Sequence, residues 1–157
     1  MDKSPNALTR TNALDEYFHL SMEDNKTATI LFHLNRDIKI RQIATWPDQL
    51  ADVAVHINSK ITAGDCLTPG RIIPVQNAHL IRIEPLKWWL IGDADTILSP
   101  LNDEQIVQVD LSHSWVQLQL SGPQAKTLLS HHLTIDLRDK NFPLNTFVAT
   151  ALHHVGV

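Results

Sequence analysis

Residues 107–133, VQVDLSHSWVQLQLSGPQAKTLLSHHL, decide the fold. Val107, Val109 and Leu111 alternate with Gln108 and Asp110, and Val116, Leu118 and Leu120 alternate with Trp115, Gln117 and Gln119. Each run therefore has one apolar face and reads as a half-buried strand. Two such strands, separated only by the polar Ser112-His113-Ser114, are expected to pair as a hairpin. Gly122-Pro123 closes the second strand, because glycine accepts the non-helical geometry before a helix and the fixed φ of proline suits a first helical position. A helix is expected from there, with Ala125, Leu128, Leu129 and Leu133 on one face, laid over the apolar face of the hairpin.

The same order occurs upstream. Ala28, Ile30, Phe32 and Leu34 alternate with Thr27, Thr29, Leu31 and His33, Asn35-Arg36-Asp37 forms a turn, and Ile38 and Ile40 open a second strand. After Trp46-Pro47, the residues Leu50, Val53, Ala54 and Ile57 fall at helical spacing, which predicts an amphipathic helix over 47–59. Residues 62–77, with Gly64, Pro69, Gly70 and Pro74, read as a loop, and residues 79–84 and 86–91 read as two strands split by Glu84-Pro85. In the second half a loop over 136–145 leads to a last strand over 146–155. The repeated strand-turn-strand-Pro-helix order predicts a structural duplication, with halves near 26–100 and 101–157 behind an N-terminal arm of residues 1–25 that holds one short helix near Leu14 to Leu20. The class is α+β, with antiparallel sheets covered by helices.

A protein of 157 residues, 43% hydrophobic and 19% charged, is the size of one soluble domain with its own core. No apolar run reaches the length that spans a bilayer, and the first residues carry Asp2, Asp15 and Glu16 in place of an apolar signal segment. The expectation is a cytoplasmic protein without membrane contact. The single cysteine, Cys66, forms no internal disulfide and reads as a small core side chain. A net charge of −4 with no larger basic group than Arg36, Lys39 and Arg41 argues against a nucleic-acid surface, which needs a positive stripe to displace counterions.

Two blocks carry a family resemblance. The first is Asp110-Leu111-Ser112-His113 followed by Leu120-Ser121-Gly122-Pro123-Gln124-Ala125 and Leu128-Leu129; the second is Arg82-Ile83-Glu84-Pro85-Leu86-Lys87-Trp88-Trp89-Leu90-Ile91-Gly92. Together they resemble the folate-binding T-protein (aminomethyltransferase) superfamily, and within it the gamma subunit of heterotetrameric sarcosine oxidase, over about residues 26–157. The resemblance implies two ferredoxin-like ββα-containing halves packed together. More sheet and a closing helix would follow the last strand in that family, so the second half is expected to be incomplete and the sequence truncated at its C-terminus. The resemblance also implies a protein that does no catalysis alone. Its partners would be the flavoprotein alpha and beta subunits and a small delta subunit, with FAD, FMN, NAD and tetrahydrofolate held on those partners. The assembled complex would demethylate sarcosine oxidatively to glycine. A T-protein that transfers a one-carbon unit places a carboxylate just after the strand corresponding to residues 146–155. Here His153-His154-Val155-Gly156-Val157 supplies none. The alternatives are a stand-alone folate-binding protein of the T-protein type, as enzyme or carrier, and a scaffold domain with no metabolic link.

No other residue set reads as a catalytic, cofactor or metal site. Nine histidines include the pairs His131-His132 and His153-His154, yet neighbours point about 100° apart on a helix and to opposite faces of a strand, and no Cys/His spacing supplies three or four convergent ligands. Asp110, Ser112 and His113 hold the side chains of an acyl-transfer triad without its geometry or a nucleophile elbow. Ser121-Gly122-Pro123 at a helix start reads as a cap before it reads as an anion site. Trp88 and Trp89 face opposite sides of one strand, so both of its faces carry aromatic bulk. Either the strand is buried on both sides, or one face lies in the core and the other in a subunit contact, where tryptophan is enriched. Trp88, Trp89 and the preceding Arg82 are the candidate interface residues.

Overall fold

The computed structural model describes Leu14, residues 29–93 and residues 95–157. The short helix expected near Leu14 to Leu20 falls, Leu14 apart, outside the described residues. The elements are β1 (Leu31–Asn35), β2 (Ile40–Thr45), α1 (Leu50–Asn58), β3 (Ile72–Val75), β4 (Asn77–Glu84), β5 (Lys87–Asp93), α2 (Asp95–Leu98), β6 (Ile106–Asp110), β7 (Gln117–Ser121), α3 (Ala125–His132), β8 (Ala151–Leu152) and β9 (Val155–Gly156). The class is α+β, with antiparallel sheets and few helices.

The core lies between α1 and a five-stranded sheet of order β3-β4-β5-β2-β6. On α1 the helical spacing buries Val53, Ala54 and Ile57. They join a cluster with Ile43 of β2, Ile73 of β3, Leu80 of β4, Trp88 and Leu90 of β5, and Ile106 of β6. Those strand residues share one face, since cross-strand partners lie on the same side: Ile73 opposes Leu80, Leu80 opposes Leu90, and Ile43 opposes Trp88. Pro47 lies in a turn of residues 47–49 and α1 proper begins at Leu50, where Val53 N–H donates to the Gln49 carbonyl at 3.0 Å.

Neither expected hairpin forms. β1 pairs with β7, with Leu31 opposite Ser121 and Asn35 opposite Gln117, and β2 pairs with β6, with Arg41 opposite Asp110 and Thr45 opposite Ile106. The connections explain the exchange, because residues 36–39 and 111–116 close on themselves as corners. Asp37 N–H donates to Asn35 Oδ1 at 3.2 Å and Ser112 N–H donates to Asp110 Oδ1 at 2.9 Å, the turn-forming bonds typical of Asn and Asp. β1 thus finds its ladder in β7, and β2 finds one in β6 as well as in β5. The corners are tied together: Leu111 N–H donates to the Ile40 carbonyl at 2.8 Å, Ile40 N–H to Ser112 Oγ at 3.0 Å, and Asn35 Nδ2 to Gln117 Oε1 at 2.7 Å.

Three further expectations change. The loop read over 62–77 contains β3, an edge strand, which is where Pro74 is tolerated because the outer edge needs no ladder donor. The last strand read over 146–155 is instead a bridge between Arg71 and Thr146, followed by the short β8–β9 hairpin with His153 and His154 in its turn. His153 takes a φ of 55°, which a turn allows and a strand does not. Finally, α3 begins at Ala125, two residues after Pro123, and buries only Ala125, while Leu128 and Leu129 stay half-buried. Among the described residues, β1 and β7 form a sheet of two strands.

Candidate interaction surface

The three candidate interface residues have different fates. Trp88 is 0% exposed in the core, so the α1 side of its strand is sealed within the protein. Its indole N–H donates to the Cys66 carbonyl at 2.7 Å, which satisfies the buried donor. Arg82 lies on the same side of the sheet, opposite Trp88, and holds loops: its guanidinium donates to the Leu67 carbonyl and, at 2.6 Å, to the Pro85 carbonyl. Trp89 points to the other face. It is half-buried, donates to Gln42 Oε1 at 3.3 Å and packs edge-on against Trp115, with ring centroids 4.7 Å apart.

That second face is apolar over four strands. Register places Ile81, Trp89, Gln42 and Val109 in one row, with Ala44 and Val107 beside it. Burial falls across the row. Ile81 is enclosed, Trp89 is partly covered, and Val107 and Val109 on the edge strand remain 45% and 44% exposed. The two β-branched side chains lie side by side at the sheet edge and form an exposed apolar patch. Trp115 was legible only as an aromatic on the otherwise polar side of its strand, and its partnership with Trp89 depends on the crossed pairing.

The corner between β6 and β7 opens onto a depression of about 420 Å³ lined by Lys39, Arg41, Asp110, Ser112 and His113 among others. The Ser112 side chain and backbone hold the Asp110 carboxyl below the usual carboxylate range. Ser112 Oγ accepts from Ile40 N–H at 3.0 Å, so the hydroxyl is built into the corner. Asp110 and Ser112 shape a corner between β6 and β7, and the hairpin turn expected there does not form. Cys66 is enclosed, and burial, reinforced by the Asp65 charge, pushes its thiol up to about 11. Among the described residues no group of three or more His, Cys, Asp or Glu side chains could hold a metal ion, and no helix is long and apolar enough to cross a membrane.

The crossed β1–β7 and β2–β6 pairing and the five-stranded antiparallel sheet make an α+β fold that is consistent with a T-protein-like one. No family model and no curated protein matches the sequence. Among solved structures, a subunit of heterotetrameric sarcosine oxidase from Corynebacterium sp. U-96, in complex with pyrrole 2-carboxylate, superposes with a TM-score of 0.67 at 20% identity, over 82% of this protein and 68% of that subunit. The glycine cleavage system aminomethyltransferase T from Bartonella henselae superposes with a TM-score of 0.50 at 15% identity, over 67% of this protein and 32% of that one. The match thus spans about a third of the aminomethyltransferase. Both likenesses are of fold, and both agree with the family suggested by the Arg82–Gly92 and Asp110–Ala125 blocks.

Proposed function

We propose that this protein is a gamma-type, non-catalytic subunit of a heterotetrameric sarcosine oxidase, a cytoplasmic complex that demethylates sarcosine oxidatively to glycine. It would supply structure and contact surface to flavoprotein alpha and beta subunits and a small delta subunit, with FAD, FMN, NAD and tetrahydrofolate held by those partners. The observation that carries this reading is the superposition on a subunit of heterotetrameric sarcosine oxidase at a TM-score of 0.67. The exposed Val107 and Val109 beside Trp89 and Trp115 support it, since aromatic residues beside an uncovered apolar edge are what a subunit contact uses. The family's arrangement of two ferredoxin-like halves belongs to the same proposal.

The test is capture of co-expressed alpha, beta and delta subunits of a sarcosine oxidase by the tagged protein, with Trp89→Ala as the comparison. The expected result is a complex with sarcosine oxidase activity, weakened by ~2 kcal/mol or more in the variant, and no activity from the isolated protein. The second reading, a stand-alone folate-binding protein, draws on the aminomethyltransferase likeness. Micromolar one-to-one binding of tetrahydrofolate to the isolated protein, by calorimetric titration, would replace the subunit reading with it.

A further inference from the structure

The histidine pairs at 131–132 and 153–154 cannot each chelate an ion, because neighbouring side chains diverge. The fold instead joins one member of each pair. His132 lies in the last turn of α3 and His153 in the turn between β8 and β9, and their ring centroids are 6.0 Å apart with the planes tilted by 59°.

That separation suits a shared ion. An imidazole nitrogen ligates zinc at about 2.0–2.1 Å, which puts two ring centres on one tetrahedral ion roughly 5 Å apart. Both side chains are exposed, so rotation about their side-chain torsions closes the remaining difference of roughly 1 Å without disturbing the core. The helix end adds to the attraction, since the last carbonyls of α3 carry partial negative charge and favour a cation beside His132. The hairpin also stands to gain from a clip. β8 and β9 pair over two residues each, extended by the reciprocal Thr150 and Val157 backbone bonds at 2.8 Å, and Val155 and Val157 are 66% and 46% exposed. A hairpin with so little buried is marginal in water by itself.

We propose that His132 and His153 form a site for a divalent cation that favours imidazole, such as zinc or copper, and that the ion clips the β8–β9 hairpin to the end of α3. Two imidazoles leave the other coordination positions to water, so the ion exchanges with solvent. A permanent structural site takes three or four side chains, and no cluster among the described residues supplies them. The inference stands on the contact between α3 and the hairpin, whatever complex the protein joins.

The probe is zinc ion, titrated near neutral pH into the full 157-residue protein without an affinity tag. Calorimetry reads the stoichiometry, histidine-ring NMR the ligands, and amide hydrogen exchange the hairpin. The expected result is saturable one-to-one binding that shifts the ring signals of His132 and His153. Exchange over residues 150–157 should slow about tenfold at a zinc concentration about ten times the dissociation constant. His132→Ala and His153→Ala should each weaken binding about tenfold or more, while His131→Ala and His154→Ala leave it within about twofold. Magnesium, which prefers oxygen ligands, should produce none of these changes. The ring signals need no variant, so the test stands if an alanine variant fails to fold. Absence of saturable binding, ring shifts confined to other histidines, an equal response to magnesium, or equal losses in His131→Ala and His154→Ala overturns the proposal. Zinc bound at both rings with exchange over 150–157 unchanged overturns it as well, because the ion would then clip nothing.

Discussion

The Trp88 indole N–H and the Cys66 carbonyl lie 2.7 Å apart in a site where both residues are fully enclosed. The bond fastens the segment after α1 to the middle of the sheet and makes Trp88 a structural residue. Trp88→Ala is expected to cost about 3–5 kcal/mol, from the cavity and the orphaned carbonyl together. Urea denaturation checks it, with the half-buried Trp89→Ala expected to cost clearly less.

The same enclosure governs the thiol. Burial, with the Asp65 charge adding to it, raises Cys66 from 9.0 to about 11, so the neutral thiol is the folded form. A raised value contributes stability that is complete below pH 9.0 and is lost as pH rises toward about 11. Native protein at pH 8 should leave a disulfide reagent unreacted, and one thiol should titrate after unfolding. Rapid native labelling would contradict the enclosure.

Gly122 has a φ of 105°, and a Cβ there would sit 2.5 Å from the Thr29 carbonyl oxygen, which also accepts from Gln124 N–H at 3.1 Å. Gly122→Ala must move backbone, at a cost of ~1–3 kcal/mol from the conformation alone. A lowered melting temperature is expected. Gly156→Ala, with nothing within 4 Å of the added carbon, serves as the neutral control.

Asp136 accepts from the Arg138 guanidinium, from the Arg138 backbone N–H at 3.0 Å and from the Asn141 amide, and these bonds hold its carboxyl far below the usual range. A depressed value gives stability present above the ordinary carboxylate value of 3.8 and lost as pH falls through the folded one. Carboxyl NMR should show Asp136 still ionised well below the ordinary carboxylate value of 3.8. In Asp136→Asn that low-pH titration should be gone, and the order of residues 136–142 should be reduced at neutral pH.

Much of this was legible in the sequence. Alternation located β1, β2, β4, β5, β6 and β7, and helical spacing located α1 with its buried Val53, Ala54 and Ile57. Pairing was not legible, because period-two alternation says which face is apolar and nothing about which strand lies alongside. The Asn35 and Asp110 corners resemble hairpin turns in composition and differ only in length and closure. β3 hid behind Pro74, which lowers strand propensity everywhere except at an edge. For the surface, the Trp88-Trp89 pair showed that two faces matter. Which tryptophan is sealed depends on where α1 lies, a tertiary fact.

The crossed pairing also sets the order of events when the polypeptide folds. Asn35 and Gln117 meet across a separation of 82 residues, and β2 waits for β6 in the same way. During synthesis β1 would leave the ribosome long before its ladder partner exists. Contacts this distant in sequence slow folding and leave strand edges open to the wrong neighbour. The same geometry suits reconstitution from pieces. Cleavage in the connection between α2 and β6 leaves two fragments that share two antiparallel ladders, and their reassembly on mixing would report directly on the exchange.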